Sequence, residues 1–584
     1  MPPPFDGIQV NFCKNMDCHH FGSLASPAKQ PRGPGANERP NDGYILGSKG
    51  DGFRTRLICR ACGQYSILKS NQGVAEELAR LSAYLQEQAP SAPSCPNDAC
   101  LSHGLEVRGH PDRYHRFGKT AAGSRRYRCK HCQRTLTEGT KPTGRQRLTH
   151  KNKAIYRHVV NKMPFKRICE VLDIGAPTLY RKIDFLHAQC LAFAASRERQ
   201  IKALQIPRFY IASDRQEFTI NWINTRDKRN VILKAIASVD IASGYVFGMH
   251  TNFDPGLDPL AVAADAVATG DNLKSMPFRK YARIWLTIDH ARLVREREHQ
   301  CDPIPEGALL RDVALRYQEA LARDEIEATD EPEPHTALPP RGMQVHEEYT
   351  LYGHFFFLRR LFGGVGKVRF YLDQDSGMRA ACLSAFREEI LAGRCDAFYV
   401  RINKDLTIHQ KQRLVKKMER ALEKAQAESP YLSATSIRLL KIMEEMKRLE
   451  EVGRWEDRWL SYPFPDMSEP EKAVCYLTAR GDYEETHLAR LYLKASLHAV
   501  DSYFNQVRTR LSPLQRAMHS SSNAGRTWYG NQPYRPEMVQ KLLDLLRVFH
   551  NYCLKSGKEK TTPAMRLGLA RAPLNLDDVI YFQG

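Results

Sequence analysis

The chain has 584 residues, 42% of them hydrophobic, and a formal net charge of +21 at pH 7. This length predicts roughly three to five folded units, and the hydrophobic fraction excludes a disordered protein. The excess of Lys and Arg indicates an acidic partner, with nucleic acid as the first candidate. The start, MPPPFDGIQVNF, lacks the features of a signal peptide, and no apolar run reaches the length of about 18 residues that a membrane helix needs. We expect a cytoplasmic protein whose 15 cysteines are reduced.

Two segments near the amino terminus repeat one cysteine pattern. CKNMDCHHFG and CPNDACLSHG each contain Cys-x4-Cys, and each is followed by a Cys-x2-Cys pair, CRAC or CKHC. Two such pairs supply the four thiolates of a tetrahedral zinc site, because each short loop presents two sulfurs. Scattered core thiols would not recur in register. We predict two structural Zn²⁺ sites, in ribbons at residues 1–90 and 91–145, with the ligands Cys13, Cys18, Cys59 and Cys62, and Cys95, Cys100, Cys129 and Cys132.

The segment after the second ribbon is basic and has helical periodicity. In MPFKRICEVLDIGAPTLYRKIDFLH, a turn at residues 173–177 separates two helices, which is the layout of a helix-turn-helix. We predict a DNA-binding domain of this kind at residues 146–200, and the alternative is an ordinary helical hairpin with a solvated basic face. The residues expected to contact double-stranded DNA are Lys166, Arg167, Thr178, Tyr180, Arg181 and Lys182.

From Pro207 the pattern changes to period two, with β-branched and aromatic residues. RFYIASDRQEFTINW predicts a strand that carries Asp214, and VILKAIASVDIASGYVFGMH predicts a hairpin. The helix EEYTLYGHFFFLRRL, the strand KVRFYLD, another helix and the strand DAFYVRI follow within residues 201–405. Residues 254–341 form an insertion that holds the apolar run ARIWLTID and the acidic linker RDEIEATDEPEPHTALPP.

This order of elements, with Asp214 on the first strand and Asp373 at the end of the fourth, resembles the ribonuclease H-like catalytic core of DDE-family transposases and integrases. The resemblance covers roughly residues 208–570. It implies a multidomain α/β protein in which three carboxylates hold two catalytic Mg²⁺ ions. It also implies a helical insertion domain, placed at residues 406–485, and a return to the core in residues 486–584.

The third acid is expected on the helix in YLKASLHAVDSYFNQVRTRLSPLQRA, where family members often have Glu. This chain has Asp501 there, so the implied triad is Asp214, Asp373 and Asp501. Glu484 and Glu485 remain alternatives for the third acid, because they lie upstream in the same segment. The resemblance also implies phosphate contacts from the arginine-rich turn that follows, with Arg508 and Arg510.

The stretch FYLDQDSG places Asp373 and Asp375 directly after an apolar strand. Cleavage of a phosphodiester needs an activated nucleophile and a stabilised leaving oxygen, which two divalent ions about 4 Å apart supply together. Mg²⁺ prefers hard oxygen ligands, so carboxylates at this strand end suit it. One alternative is a turn that caps the helix from Met378. Another is that Asp289, at the end of ARIWLTID, replaces Asp373 as the second acid.

These expectations combine into a DNA transposase of the insertion-sequence type, associated with the nucleoid. It would bind element ends and target DNA as a dimer or higher homo-oligomer, without a membrane partner. Two alternatives remain open. One is a transposase-derived DNA-binding regulator without catalysis, and the other is a metal-dependent nuclease that cleaves without joining.

Overall fold

The structure is a computed structural model. It describes residues 1–25, 43–48, 55–86, 93–107, 109–120, 124–137, 143–144, 146–221, 229–297, 336–375, 377–403, 405–453, 455–481, 483–516 and 530–582. The chain forms two compact units. The first comprises residues 1–81, 205–508 and 514–540, and the second comprises residues 82–204, 509–513 and 541–584.

The strands, in chain order, are β1 (Tyr44–Ser48), β2 (Thr55–Cys59), β3 (Tyr65–Ile67), β4 (Tyr114–Lys119), β5 (Arg125–Cys129), β6 (Thr135–Thr137), β7 (Arg208–Ile220), β8 (Val231–Asp240), β9 (Val246–Thr251), β10 (Phe253–Asp254), β11 (Met343–Gln344), β12 (Lys367–Asp373), β13 (Cys395–Ile402), β14 (Glu450–Val452), β15 (Asp457–Ser461) and β16 (Lys472–Tyr476).

The α-helices are α1 (Asn71–Gln86), α2 (Asn152–Val159), α3 (Phe165–Leu172), α4 (Ala176–Glu198), α5 (Pro259–Ala268), α6 (Thr287–Arg297), α7 (Glu347–Leu361), α8 (Met378–Ala385), α9 (Arg387–Leu391), α10 (Ile408–Glu428), α11 (Ala434–Met446), α12 (Glu485–Lys494), α13 (His498–Arg510), α14 (Glu537–Val548), α15 (Pro563–Leu567) and α16 (Leu576–Ile580).

An eight-stranded mixed sheet organises the first unit. Its strand order is β14-β15-β16-β13-β12-β7-β8-β9. Strands β7, β8 and β9 are antiparallel neighbours, β12 is parallel to β7, and β13 is parallel to β12. The hairpin predicted from VILKAIASVDIASGYVFGMH is confirmed, and Asp240 closes its turn by accepting hydrogen bonds from the N–H and hydroxyl of Ser243 at 2.7 and 2.6 Å.

Helices cover both faces of the central strands, which explains why residues 368–372 of β12 are all buried rather than alternately buried and exposed. Phe370 points to one face, where its ring lies 5.6 Å from Phe355 of α7. Tyr371 points to the other face, where its hydroxyl donates a hydrogen bond to the carbonyl of Leu491 in α12 at 3.0 Å. Because side chains alternate along a strand, odd-numbered residues of β12 face α12 and even-numbered residues face α7.

Residues 406–485, expected to be a helical insertion, have a mixed structure. Helices α10 and α11 come first, and three strands then extend the main sheet, since β16 pairs antiparallel with β13 and β15 pairs with β16. Trp459 and Val474 are fully buried there. The charged surroundings of these short strands conceal their apolar positions, and the pairing with β13 supplies the hydrogen bonds that a two-stranded ribbon alone would lack.

The insertion at residues 254–341 is described only in part. ARIWLTID does not form a strand of the sheet, because α6 begins at Thr287 within it. The acidic linker lies mostly outside the described residues, which resume at Thr336.

Buried ion pairs connect α1, which follows the first ribbon, to the rest of the first unit. Arg283 is buried and contacts Glu76 at 3.3 Å, Glu77 at 3.2 Å and Asp254 at 2.7 Å. Glu77 also accepts a hydrogen bond from the hydroxyl of Thr350 in α7 at 3.1 Å. These contacts explain why residues 1–81 belong to the unit that contains the sheet.

The second unit joins the second ribbon and helices α2 to α4 with the carboxyl-terminal residues 541–584. The hydroxyl of Tyr156 donates a hydrogen bond to the carbonyl of Leu545 at 2.8 Å. The buried carboxylate of Glu198, at the end of α4, contacts both Arg547 and the hydroxyl of Tyr84. The carboxyl terminus, expected to be part of the sheet-containing core, therefore packs with the predicted DNA-binding helices.

Replacing Arg283 with Met should destabilise the first unit by about 3–5 kcal/mol, because Asp254 loses the guanidinium it is paired with and Glu77 keeps only Arg80. All five tryptophans fall within the residue ranges of the first unit, so urea unfolding followed by tryptophan fluorescence reports on it. The control is Arg448→Ala, which removes an exposed arginine paired with Glu444 at 3.2 Å and should cost about 0.5 kcal/mol or less. Equal midpoints for the two variants would contradict this role of Arg283.

Candidate functional sites

The first cysteine quartet has the dimensions of a tetrahedral zinc site. Cys13 and Cys18 lie in an amino-terminal loop, Cys59 ends β2, and Cys62 lies in the turn before β3. The sulfurs of Cys13 and Cys62 are 3.6 Å apart, and those of Cys18 and Cys59 are 3.8 Å apart. A tetrahedron with Zn–S bonds of about 2.3 Å has edges of about 3.8 Å. The predicted ligand set is brought together.

The second quartet repeats this geometry in the second unit. Cys95 and Cys132 sulfurs are 3.3 Å apart, and Cys100 and Cys129 sulfurs are 3.7 Å apart. In each quartet the four sulfurs all lie within 4.8 Å of one another. The pKa of Cys132 lies below its usual value because a backbone hydrogen bond with Arg134 stabilises the thiolate. Both buried quartets therefore fit two structural Zn²⁺ ions.

A tyrosine braces each quartet, a feature that the sequence analysis missed. The backbone N–H of Cys13 donates a hydrogen bond to the hydroxyl of Tyr44 at 2.8 Å, and the N–H of Cys95 donates one to the hydroxyl of Tyr114 at 3.1 Å. Each hydroxyl donates in turn to a backbone carbonyl of the same loop, at 2.5 and 2.6 Å. Aligning the two ribbons beyond their cysteines would have revealed the equivalent tyrosines.

Asp214 and Asp373 occupy neighbouring positions on two parallel strands. The pairing between β7 and β12 ends at Ser213 and Leu372. Asp214 is the next residue of β7, and Asp373 is the next residue of β12. Residues opposite each other on adjacent strands point to the same face of a sheet. That face is the one covered by α12, because Asp373 has the same parity as Tyr371. Asp214 is buried and Asp373 is half-buried.

Asp501 lies in the first turn of α13, the helix that follows α12. Its relation to the sheet is shown by Arg508 in the same helix. Burial lowers the pKa of the Arg508 guanidinium and so does the nearby Arg516, whereas the carboxylates of Asp501 and Asp214 act in the opposite direction. One guanidinium thus lies in the field of two of the three predicted acids.

The three aspartates are less tightly grouped than the cysteines. Within the described ranges, the two quartets are the only groups of three or more Cys, His, Asp or Glu residues whose ligand atoms all lie within 4.8 Å. Among the described residues, Asp214, Asp373 and Asp501 therefore do not form such a compact ligand set.

The other residues of FYLDQDSG have separate partners. Asp375 forms an ion pair with Arg215, whose guanidinium also contacts the buried carboxylate of Glu347 at the start of α7. Gly377 precedes α8 with a positive φ of 84°, and no side chain caps that helix. Ser376 lies outside the described residues. The backbone N–H of Met378 donates a hydrogen bond to the carbonyl of Asp375 at 3.3 Å, so a turn precedes α8.

The alternative acids lie in different surroundings. Asp289 is in the first turn of α6, and its carboxylate is paired with the buried guanidinium of Arg279 at 2.5 Å. Glu484 and Glu485 are exposed at the start of α12. The oxygen of Glu484 accepts a hydrogen bond from the hydroxyl of Thr486 at 3.0 Å.

Helices α3 and α4 form the predicted helical pair, and Asp173 ends α3 in a left-handed conformation with φ 47°. Ile168 and Leu179 are fully buried between the helices. Among the predicted DNA contacts, four side chains are exposed and Thr178 is half-buried; the exposed residues are Lys166, Arg167, Tyr180 and Arg181.

Two predicted DNA contacts have structural partners instead. Lys182 is buried, and its ammonium group donates hydrogen bonds to the carbonyl of Arg147 at 2.6 Å and to the side-chain oxygen of Gln146 at 3.0 Å. Arg510 donates to the side-chain oxygen of Asn161 at 3.3 Å. Burial lowers the pKa of Lys182, as expected for an enclosed amine. The prediction that Lys182 is available to contact DNA is wrong, because its ammonium group is buried and donates hydrogen bonds to the turn before α2.

Among the described residues, no helix is long and apolar enough to cross a membrane. Comparison of the sequence with protein-family models found no matching family, and no curated protein matches the chain.

We expect purified protein to contain about two Zn²⁺ per chain. Cys59→Ser and Cys129→Ser should each lose about one ion, because three thiolates hold zinc much more weakly than four. Only Cys59→Ser should lower the unfolding midpoint reported by tryptophan, since the second quartet lies in the other unit. Metal analysis by mass spectrometry measures the first effect, and Cys169→Ser, outside both quartets, is the control. Protein without zinc after metal-replete expression would refute the assignment.

Proposed function

We propose that the chain is a polynucleotidyl transferase, an enzyme that cleaves and rejoins the DNA backbone with divalent metal ions. Within that class, we propose a DNA transposase with a ribonuclease H-like core and catalytic residues Asp214, Asp373 and Asp501. The observation that carries the proposal is the placement of Asp214 and Asp373 side by side at the centre of the sheet. The connectivity of β7, β8, β9, β12 and β13 supports it.

The chemistry of the site favours a cation. Like charges at neighbouring strand positions repel each other, and a cation bound by both carboxylates would offset that repulsion. Asp214 is 5% exposed. Hard carboxylate oxygens suit Mg²⁺, and two bound ions would activate the nucleophile and stabilise the leaving oxygen of a phosphodiester. In this proposal, Asp214 and Asp373 hold the ions from the sheet, and Asp501 approaches from α13.

Arg508 has a role of its own in this proposal. The carboxylates of Asp214 and Asp501 both act to raise the pKa of its guanidinium, so Arg508 would act on a phosphate that ions held by these acids bind. A guanidinium forms paired hydrogen bonds with phosphate, so Arg508 would orient the backbone that is cut. Arg510 would support α13 rather than contact DNA, because it donates to Asn161.

The second unit would supply recognition of the element ends. Lys166 and Arg181 are exposed on α3 and α4, where they can reach phosphates that flank a groove. Tyr180 is 44% exposed, and its ring lies 5.9 Å from that of Phe165, which holds it at the surface. In a helix-turn-helix, the start of the second helix reads base edges, so Thr178 and Tyr180 would contribute to sequence preference.

For the catalytic site, Asp214→Ala, Asp373→Ala and Asp501→Ala should each reduce DNA cleavage and joining by more than about 10³-fold, because ligands of a shared two-ion site act as a unit. Binding to the ends should persist. The assay incubates protein and Mg²⁺ with DNA from both flanks of its own gene and a target plasmid, and sequences the joints. Mn²⁺ should replace Mg²⁺, whereas Ca²⁺ should permit binding only.

The matched control is Glu485→Ala, which removes an exposed acid at the start of the neighbouring helix and should remain active. An inactive Glu485→Ala beside an active Asp501→Ala would move the third acid to α12. An inactive Asp289→Ala beside an active Asp373→Ala would move the second acid to α6. Cleavage without joined products would favour the nuclease, and wild-type DNA binding without any cleavage would favour the regulator.

For DNA recognition, Lys166→Ala combined with Arg181→Ala should weaken binding to all sequences. The slope of log K against log salt concentration should become shallower by about 0.9 for each phosphate that the variant no longer neutralises. Fluorescence anisotropy at four salt concentrations measures the slope. Lys424→Ala removes an exposed charge on α10 and should leave the slope unchanged. An unchanged slope in the double variant would exclude this surface as the site of phosphate binding.

A further inference from the structure

A cavity of about 680 Å³ lies in the first unit, apart from the three aspartates proposed as catalytic. Its walls come from the first zinc ribbon, from β15 and β16 and from α12. Tyrosine rings, two arginines and apolar side chains share the lining, which includes Met16, Arg458, Tyr476, Arg480, Tyr483 and Leu488. A volume of this size suits a small organic ligand, since such sites measure about 300–1,000 Å³.

The tyrosines of the cavity are held in place by a buried acid. Asp396 accepts hydrogen bonds from the hydroxyls of Tyr476 at 3.2 Å and Tyr483 at 2.8 Å. Tyr476 also stacks on Phe398, with ring centroids 4.5 Å apart and planes at 13°. Because their hydroxyl groups are engaged and their positions are fixed, these tyrosines offer the cavity aromatic surface rather than hydrogen-bonding groups.

The arginines give the cavity a positive charge. Both Arg458 and Arg480 are exposed. Asp17, the acidic residue of the lining, lies 3.9 Å from Arg458, a distance that leaves their charges weakly paired at the surface. Among the described residues, Arg480 donates a hydrogen bond to the carbonyl of Leu391 at 3.1 Å, and a guanidinium has five N–H groups that can also bind an anion.

We propose that this cavity binds a nucleotide, with the base against the tyrosine rings and the phosphate on Arg458 and Arg480. Aromatic side chains accept any base, because every base has a π face, and arginine is the side chain best suited to phosphate. The ligand is either a free nucleotide or the unpaired end of a DNA strand, since both offer the same base and phosphate.

The first zinc site forms part of the cavity wall. Met16 and Asp17 lie in the loop between Cys13 and Cys18. The segment that follows Cys18 is tied to α9, because Arg387 donates a hydrogen bond to the carbonyl of Gly22 at 2.7 Å. Nucleotide binding should therefore depend on the first Zn²⁺ ion and not on the second.

Calorimetric titration of the full-length, zinc-loaded protein tests the proposal with three probes: deoxyadenosine 5′-monophosphate, deoxyadenosine, and a 5′-phosphorylated single-stranded hexadeoxyadenylate. At least one phosphorylated probe should bind, and deoxyadenosine should bind about tenfold more weakly or not at all. Arg458→Ala with Arg480→Ala should weaken binding about tenfold or more, because it removes charge-assisted hydrogen bonds. Leu488→Trp should also block binding, by filling the cavity, and Arg448→Ala should not.

Binding of the monophosphate identifies a free nucleotide as sufficient, and binding of the hexamer alone identifies a DNA strand end. Asp214→Ala should bind as the wild type does, so the result is independent of the proposed catalytic function. The proposal is overturned if neither phosphorylated probe binds, or if both the double arginine variant and Leu488→Trp bind with unchanged affinity, since the probe would then occupy another surface.

Discussion

The parallel pairing of β12 with β7 is the constraint on which the first unit depends. It places Leu372 opposite Ser213 and therefore puts Asp373 next to Asp214. The same pairing sends Phe370 toward α7 and Tyr371 toward α12, so the two helical layers meet the sheet on defined faces. A shift of β12 by one residue would place Asp373 on the face covered by α7, away from Asp214.

In the first unit, arginines form ion pairs with acidic residues from separate parts of the chain. Arg215 on β7 joins Asp375 to Glu347, and Arg283 joins Asp254 to the glutamates of α1. Buried ion pairs contribute little net stability, but removing one partner strongly destabilises the fold because the other charge stays buried. They therefore specify which segments pack together. Asp375 is engaged in this way, which leaves Asp373 as the aspartate of FYLDQDSG that shares a face with Asp214.

The two ribbons with cysteine quartets show how one motif is used in two contexts. Their quartets, bracing tyrosines and turns are equivalent, yet the first belongs to the unit with the sheet and the second to the unit with α3 and α4. Folding of such small ribbons is coupled to metal binding, because their apolar cores are too small to be stable alone. In the first unit the ribbon also contributes a wall to the proposed nucleotide cavity.

Features that depend on short spacing can be predicted from the order of residues alone. The cysteine quartets, the strands β7, β8, β9, β12 and β13, the helix α7 and the pair α3–α4 were all predicted, because ligand spacing and side-chain periodicity are local properties. The remaining features depend on long-range packing. Strand β16 pairs with β13, and β15 and β14 extend the sheet from it. Lys182 is buried and donates a hydrogen bond to the carbonyl of Arg147. The cavity beside Tyr483 is formed by segments hundreds of residues apart. These features depend on contacts between residues that are far apart in the sequence, and no local pattern of residue types predicts such contacts.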